Sequence, residues 1–187
     1  MTNKTLHFLQ KRWSICALLL CMILMVAGCT PSASPTKSVE TSQPQQVATT
    51  EKTLVTYIPS KDAERLVPVK VSVPADQYTP NRAVEEMLAA DRKQKYPIWP
   101  TDAKVKKVEV DQEKKLATVD FNQAVRNNRG GSLGEILIVY ETVNTLTNFP
   151  EIERVQFTIE GEPIESITGH LDLTKPLERD EQLIEGK

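Results

Sequence analysis

The sequence predicts an α+β fold, a two-layer sandwich with both helices on one face of a mixed or antiparallel sheet. Three observations carry this. Three segments place apolar residues at every second position: Val108 and Val110; Ala117, Val119 and Phe121; Val155, Phe157 and Ile159. The residues between them are Lys107, Glu109, Thr118, Asp120, Gln156 and Thr158, so one sheet face is apolar and the other polar. Two other segments repeat apolar residues at three- and four-residue steps, the period of a helix. The resulting order, β-β-α-β-β-α-β, does not suit a doubly wound sheet, whose central strands would be apolar on both faces.

Thr53 to Ile58 and Leu66 to Val73 read as strands, the second with Val67, Val69, Val71 and Val73 on one face. The charged stretch Pro59 to Arg65 joins them as a hairpin loop. Thr79-Pro80 is a helix start, a hydroxyl N-cap followed by proline at the first helical position. Ala83, Val84, Met87 and Leu88 form that helix's inner stripe, and Pro97-Ile98-Trp99-Pro100 breaks the pattern into a loop. A second hairpin follows, Lys104 to Asp111 and Leu116 to Phe121, joined by Gln112-Glu113-Lys114-Lys115.

A glycine-rich turn, Arg129 to Glu135, then runs into a helix that stops before Phe149-Pro150. Ser132 and Glu135 have the spacing of a capping box. Leu133, Ile136, Leu137, Tyr140, Val143 and Thr147 make one apolar stripe. Arg154 to Glu160 is the last strand, and Gly161-Glu162-Pro163 turns the chain towards Gly169-His170-Leu171-Asp172-Leu173. No internal repeat is visible.

The N-terminal part has a different character. Lys4, Lys11 and Arg12 give a basic start, and Ile15 to Ala27 is apolar apart from Cys16 and Cys21. That run is too short for a comfortable membrane span, which needs about 20 residues. It ends in Val26-Ala27-Gly28-Cys29, which resembles the bacterial lipobox. The resemblance implies cleavage after Gly28 and a diacylglyceryl group on the Cys29 sulfur. Two acyl chains, at about 0.8 kcal/mol per buried methylene, suffice for stable anchoring. Residues 30–51 are rich in Ser, Thr, Pro and Gln with no aromatic residue, the composition of a disordered tether with a reach of roughly 25 Å. The expected organisation is a signal peptide over 1–28, a lipidated tether over 29–52, one domain over 53–177 and a tail over 178–187.

Cleavage removes Cys16 and Cys21, so the mature chain has no disulfide, thiol nucleophile or cysteine metal site. Losing Lys4, Lys11 and Arg12 takes the 23 basic residues to 20 against 25 acidic ones, a net charge of −5. That balance argues against nucleic acid as a partner.

Few residues offer chemistry. His170 is the sole histidine after cleavage, so a histidine pair is excluded. Asp172 and Glu165 beside it could orient it as a general base, but a local turn role is the better account. Gly130-Gly131-Ser132 before a helix could bind an anion on free N–H groups. It lacks the lysine of a P-loop, and Glu135 in the first turn would repel an anion, so a capped turn fits better. Paired carboxylates such as Asp120 with Glu135 are the usual minimum for glycan hydrolysis, but among 25 acidic residues some pair falls close by chance. No catalytic residue, metal ligand or cofactor is assigned. The candidate binding surface is Trp99 with Tyr96 and Ile98 in the proline-framed loop. There Trp99 is either exposed or tucked under the first helix as a core lid. The polar sheet face is a second surface.

A set of fragments resembles a known family: Val119-Asp120-Phe121, Gly130-Gly131-Ser132, Asn144-Thr145-Leu146-Thr147, Arg154-Val155-Gln156-Phe157, Glu160-Gly161 and Gly169-His170. Their order and spacing look like the GerMN domain, the sporulation and spore germination module of bacterial lipoproteins, over about Leu54 to Leu177. The resemblance implies an extracytoplasmic, membrane-tethered, non-enzymatic module with a compact α/β fold similar to the ring-building domains of secretion assemblies. The family's namesakes carry two copies of the module and this chain one. The leading functional expectation is a lipid-anchored adaptor for envelope proteins. A cell-wall glycan-binding lipoprotein is the alternative, and a hydrolase comes third.

Overall fold

The computed structural model describes residues 50–186. Strands β1 (Glu51–Pro59) and β2 (Leu66–Pro74) pair antiparallel from Glu51 opposite Pro74 to Pro59 opposite Leu66. A short 3-10 turn leads into helix α1 (Pro80–Arg92), where Thr79 Oγ1 accepts from the Arg82 N–H at 3.2 Å and Pro80 opens the helix, as its sequence requires. Strands β3 (Val105–Asp111) and β4 (Leu116–Phe121) pair antiparallel. Helix α2 (Gly131–Leu146) then crosses over to β5 (Arg154–Ile159), which lies parallel to β4. Two short strands, β6 (Glu162–Pro163) and β7 (Leu177–Glu178), both pair antiparallel with β5.

The expected α+β architecture is therefore present, with a mixed sheet in the order β3-β4-β5-β6. Its apolar face, Ala117, Val119, Phe121, Val155 and Phe157, shares one core with Val84, Met87, Ile138 and Val143 of the two helices. Trp99, Phe121 and Phe157 form a row in this core, with ring centroids 5.2 and 6.5 Å apart.

Four local expectations need correction. First, β1 and β2 form a separate two-stranded sheet. The outer edge of β1 is occupied by α2 and the turn that follows it: the Tyr57 N–H donates to Thr145 Oγ1 at 3.1 Å, and Asn148 Nδ2 donates to the Val55 carbonyl at 2.9 Å. Backbone groups satisfied by side chains cannot extend a ladder.

Second, α2 is not a one-sided amphipathic helix. Leu137 through Val139 and Glu141 through Leu146 are all buried, whereas Leu133 of the expected stripe is 47% exposed. The helix faces two apolar clusters, the main core through Ile138, Val139 and Val143, and a smaller one of Leu137 with Tyr57, Leu66 and Ile184.

Third, residues 178–186 are not a tail. Arg179 donates to Tyr57 Oη at 2.6 Å and to the Asn144 carbonyl at 2.8 Å, and Ile184 is buried beside Leu66. The polar sheet face is correspondingly less open than its composition suggests. Asp120 and Thr158 are buried, and Gln156 Nε2 donates to the Leu173 carbonyl at 2.7 Å.

Fourth, the Ser132–Glu135 capping box does not form. Gly130 is the N-cap and no side chain caps the helix. Gly130 and Gly131 have backbone reasons instead: Gly131 has φ +60, and a Cβ on Gly130 would lie 2.7 Å from Gly134 Cα. Glu135 turns away from its own helix end and holds the 167–170 segment. It accepts from Ile167 N at 2.8 Å, Thr168 N at 3.1 Å, Thr168 Oγ1 at 2.7 Å and His170 N at 2.8 Å. Burial by itself would raise its pKa, but these four donors outweigh it and hold the carboxyl below its ordinary value.

Every Glu135 partner donates, so an amide is a poor replacement: its nitrogen would face an N–H. Glu135→Ala should lower stability by about 2–4 kcal/mol at pH 7, and Glu135→Gln by a similar amount, in urea unfolding. A carboxylate with a depressed folded pKa stabilises above its unfolded pKa and loses that contribution as pH falls through the folded one. The gap between wild type and either variant should therefore close as the buffer is made acidic.

Candidate functional site

Of the three loop residues proposed as a surface, the structure separates one from the other two. Trp99 is 3% exposed and belongs to the core, so of its two readings the buried one holds and it is removed from the candidate binding surface. Its indole N–H donates to Glu141 on α2. Tyr96, in contrast, is 74% exposed, and Ile98 lies half-buried between them. Tyr96 and Ile98 line a cleft of about 340 Å³ whose opposite wall is the β1–β2 loop, with Pro59, Lys61 and Ala63. The Lys95 ammonium sits 5.0 Å above the Tyr96 ring.

The segment carrying Tyr96 is held from several sides. Asp91, at the end of α1, accepts from Ile98 N at 3.2 Å and Trp99 N at 3.1 Å. Asn128 Nδ2 donates to the Ile98 carbonyl at 3.1 Å while its Oδ1 accepts from Gly130 N at 2.8 Å, so one side chain joins this segment to the start of α2. Gln94 Nε2 donates to the Pro59 carbonyl at 3.3 Å across the cleft's base. These bonds fix the position of the cleft's lining on both sides.

Sequence reading missed Asp91 and Glu141. Both are fully buried, and Glu141 Oε1 has no partner. A signal was present: Asp91 follows Met87 by four residues and Glu141 follows Leu137 by four, so each acid sits on its helix's apolar side. Burial, reinforced by the nearby Asp91 charge, pushes the Glu141 carboxyl well up, against the opposing bond from Trp99. Burial likewise raises Asp91, opposed by the Ile98 and Trp99 N–H groups.

The remaining candidates are dispersed. The N-terminal turn of α2, with Gly130, Gly131 and Ser132, is exposed, and Glu135 beside it is committed to the 167–170 segment. His170 is exposed and enters the structure through its backbone N–H to Glu135. Asp172, considered with Glu165 as a group that could orient His170, accepts from Thr174 N at 2.9 Å and Thr174 Oγ1 at 2.6 Å. Asp120 is buried and accepts from Thr158 Oγ1 at 2.9 Å and Gly161 N at 2.8 Å. The Asp120 and Glu135 carboxylates are thus each engaged inside the protein, and neither is open to a glycan. Among the described residues no group of three or more His, Cys, Asp or Glu is placed to hold a metal ion. Cys29, the leader and the tether up to residue 49 lie outside the described residues. Glu51 and Lys52, expected in the tether, already belong to β1, where they pair with Pro74 and Val73.

Because Glu141 is held above its unfolded pKa, its contribution to stability is complete below the ordinary carboxyl range and is lost as pH rises through the folded value. Glu141→Gln keeps an acceptor for the indole and cannot ionise. Unfolding measured across a pH series should show the variant gaining on wild type as pH rises, at no more than about 1.4 kcal/mol per pH unit. Parallel pH profiles would refute this.

Comparison with known proteins follows the same architecture. A family model described as "Sporulation and spore germination" (Germane) matches residues 55–165, more than half of the chain. The structure of the tandem GerMN domains of the sporulation protein GerM from Bacillus subtilis aligns with a TM-score of 0.58 at 20% identity, covering 69% of this chain and 46% of that one. The first GerMN domain of the same Bacillus subtilis protein aligns with a TM-score of 0.58 at 21% identity, covering 68% of this chain and 98% of that one. This chain thus spans less than half of the tandem structure and nearly all of one module. No curated protein matches. With the family model extending from within β1 to just past β6, the chain belongs to the sporulation and spore germination family and carries a GerMN domain.

Proposed function

We propose that this protein is a lipid-anchored, extracytoplasmic, non-enzymatic module that binds protein partners in an envelope assembly of sporulation or spore germination. The observation that carries this reading is the disposition of its reactive groups. Asp91, Asp120, Glu135 and Glu141 are buried in internal contacts, His170 is exposed with no carboxylate orienting its ring among the described residues, and an apolar cleft under Tyr96 is open to solvent. Such a surface recognises a partner by shape and burial, with no proton transfer to perform. Membership of the sporulation and germination family supplies the setting. The basic start, the apolar run Ile15 to Ala27 and the sequence Val26-Ala27-Gly28-Cys29 support anchoring through Cys29.

A second reading, a cell-wall glycan binder, is favoured by the exposure of the Tyr96 ring, a platform on which a sugar face can stack. Nucleic acid is not a fitting partner for a chain with 25 acidic and 23 basic residues.

In cells fed an alkyne-tagged palmitate analogue, wild-type protein should carry the label and sediment with membranes. Cys29→Ser should lose the label and stay unprocessed, whereas wild type treated with globomycin, which blocks cleavage of the already lipidated precursor, should stay unprocessed and keep the label. A Cys29→Ser protein that is still labelled would refute lipidation at this residue. For the partner, reciprocal cross-linking and capture of one defined envelope protein supports the adaptor. Co-sedimentation with purified peptidoglycan, with no such protein, supports the glycan binder.

A further inference from the structure

We infer that the cleft between the β1–β2 loop and the 94–98 segment receives an acidic peptide from a partner protein, with one large apolar side chain of that peptide seated on its floor. This rests on the binding-module reading above and names the chemistry of the partner.

The floor argues for an apolar anchor. It is formed by Pro59, Ala63, Ile98 and the flank of Tyr96, in a volume of about 340 Å³. The Ser60 hydroxyl and the Gln94 amide, which line the cleft, are already engaged within the protein. Ser60 Oγ donates to Asp62 Oδ1 at 2.5 Å, and Gln94 Nε2 donates to the Pro59 carbonyl at 3.3 Å. A sugar ring pressed into this floor would leave its hydroxyl groups without partners, whereas an aliphatic or aromatic side chain needs none.

The rim argues for negative charge. Lys61 and Lys95 line the opening, and no carboxylate lines it with them. The neighbouring Asp62 is turned to its own loop, accepting from Ser60 and from Glu64 N at 3.2 Å. Four other exposed lysines are neutralised, Lys106 by Glu160, Lys107 by Glu109, Lys114 by Asp111 and Lys115 by Glu153. Lys52, Lys70, Lys93, Lys104 and Lys175 are exposed without an ion pair among the described residues, but none of them lines this apolar cleft. Lys61 and Lys95 make no ion pair among the described residues. Two unneutralised ammonium groups over an apolar floor, in a chain with more acidic than basic residues, are the complement of an apolar residue flanked by carboxylates. A phosphate polymer or an anionic lipid headgroup would satisfy the rim and leave the floor uncovered.

The walls are also pre-formed. Asp91 fixes Ile98 through its N–H and Asn128 fixes it through its carbonyl, so little ordering is needed on binding.

The test is a phage-displayed library of short random peptides panned on the full chain in detergent. The wild type, the Lys61→Glu/Lys95→Glu double variant and Tyr96→Ala are compared. All three side chains are exposed, and unchanged melting of the variants confirms that they fold. Wild type should enrich peptides of net negative charge that contain one large apolar residue. The best of these should bind the double variant at least about tenfold more weakly and Tyr96→Ala severalfold more weakly, and added salt should weaken wild-type binding. Absence of enrichment, enrichment of neutral or basic peptides, or undiminished binding to the double variant overturns the assignment. Loss of peptidoglycan or anionic-vesicle binding in the same variants, without peptide enrichment, overturns it as well. Failure of the peptide test alongside intact reciprocal capture of an envelope protein by the double variant would reject the cleft and leave the module reading standing.

Discussion

Helix α2 is buried on nearly every side, and a buried helix can carry polar side chains only if each finds a partner inside the protein. Those partners define the rest of the structure. Glu135 gathers the 167–170 segment, Glu141 receives the Trp99 indole, Asn144 exchanges two hydrogen bonds with the backbone of Asp180, and Thr145 and Asn148 take the outer edge of β1. Arg179 then ties the Asn144 carbonyl to Tyr57. The helix is thus a polar hub inside an apolar environment. Three peripheral pieces, the hairpin, the 94–99 segment and the C-terminal stretch, are each attached to it by at least one hydrogen bond that water cannot easily replace.

This arrangement explains why an open cleft can persist next to a dense core. Its two walls come from segments distant in sequence, the β1–β2 loop and the chain after α1. The hub positions both. Tyr57 and Thr145 seat β1, Asp91 and Glu141 seat Ile98 and Trp99, and Gln94 bridges the base to Pro59. Trp99 therefore serves the surface indirectly: its burial sets where Tyr96 is presented. The ionisation cost at Glu141 and the clamp at Glu135 act in opposite directions with pH, because one carboxyl is raised by burial and the other lowered by donors.

Much of the secondary structure was legible because it depends on periods and caps. Thr79-Pro80 marked a helix start, and the alternation through Val119, Phe121, Val155 and Phe157 marked one apolar sheet face. The candidate site was half legible. Tyr96 and Ile98 line the cleft as a proline-framed loop suggested, but a tryptophan beside them reads the same whether it points outward or inward. Ser132 and Glu135 have capping spacing, yet spacing cannot show that four donors over thirty residues away compete for the same carboxylate.

Local rules, acting within one turn of helix or one strand, determined the element order, the α+β class and the family fragments, because each depends on residues a few positions apart. Tertiary structure alone decided that the hairpin stands apart from the main sheet, that residues 178–186 are part of the fold, and that Asp91 and Glu141 lie buried near the same indole. Those outcomes depend on which distant segment satisfies which buried polar group. Such pairings across many tens of residues leave no periodic trace in the chain.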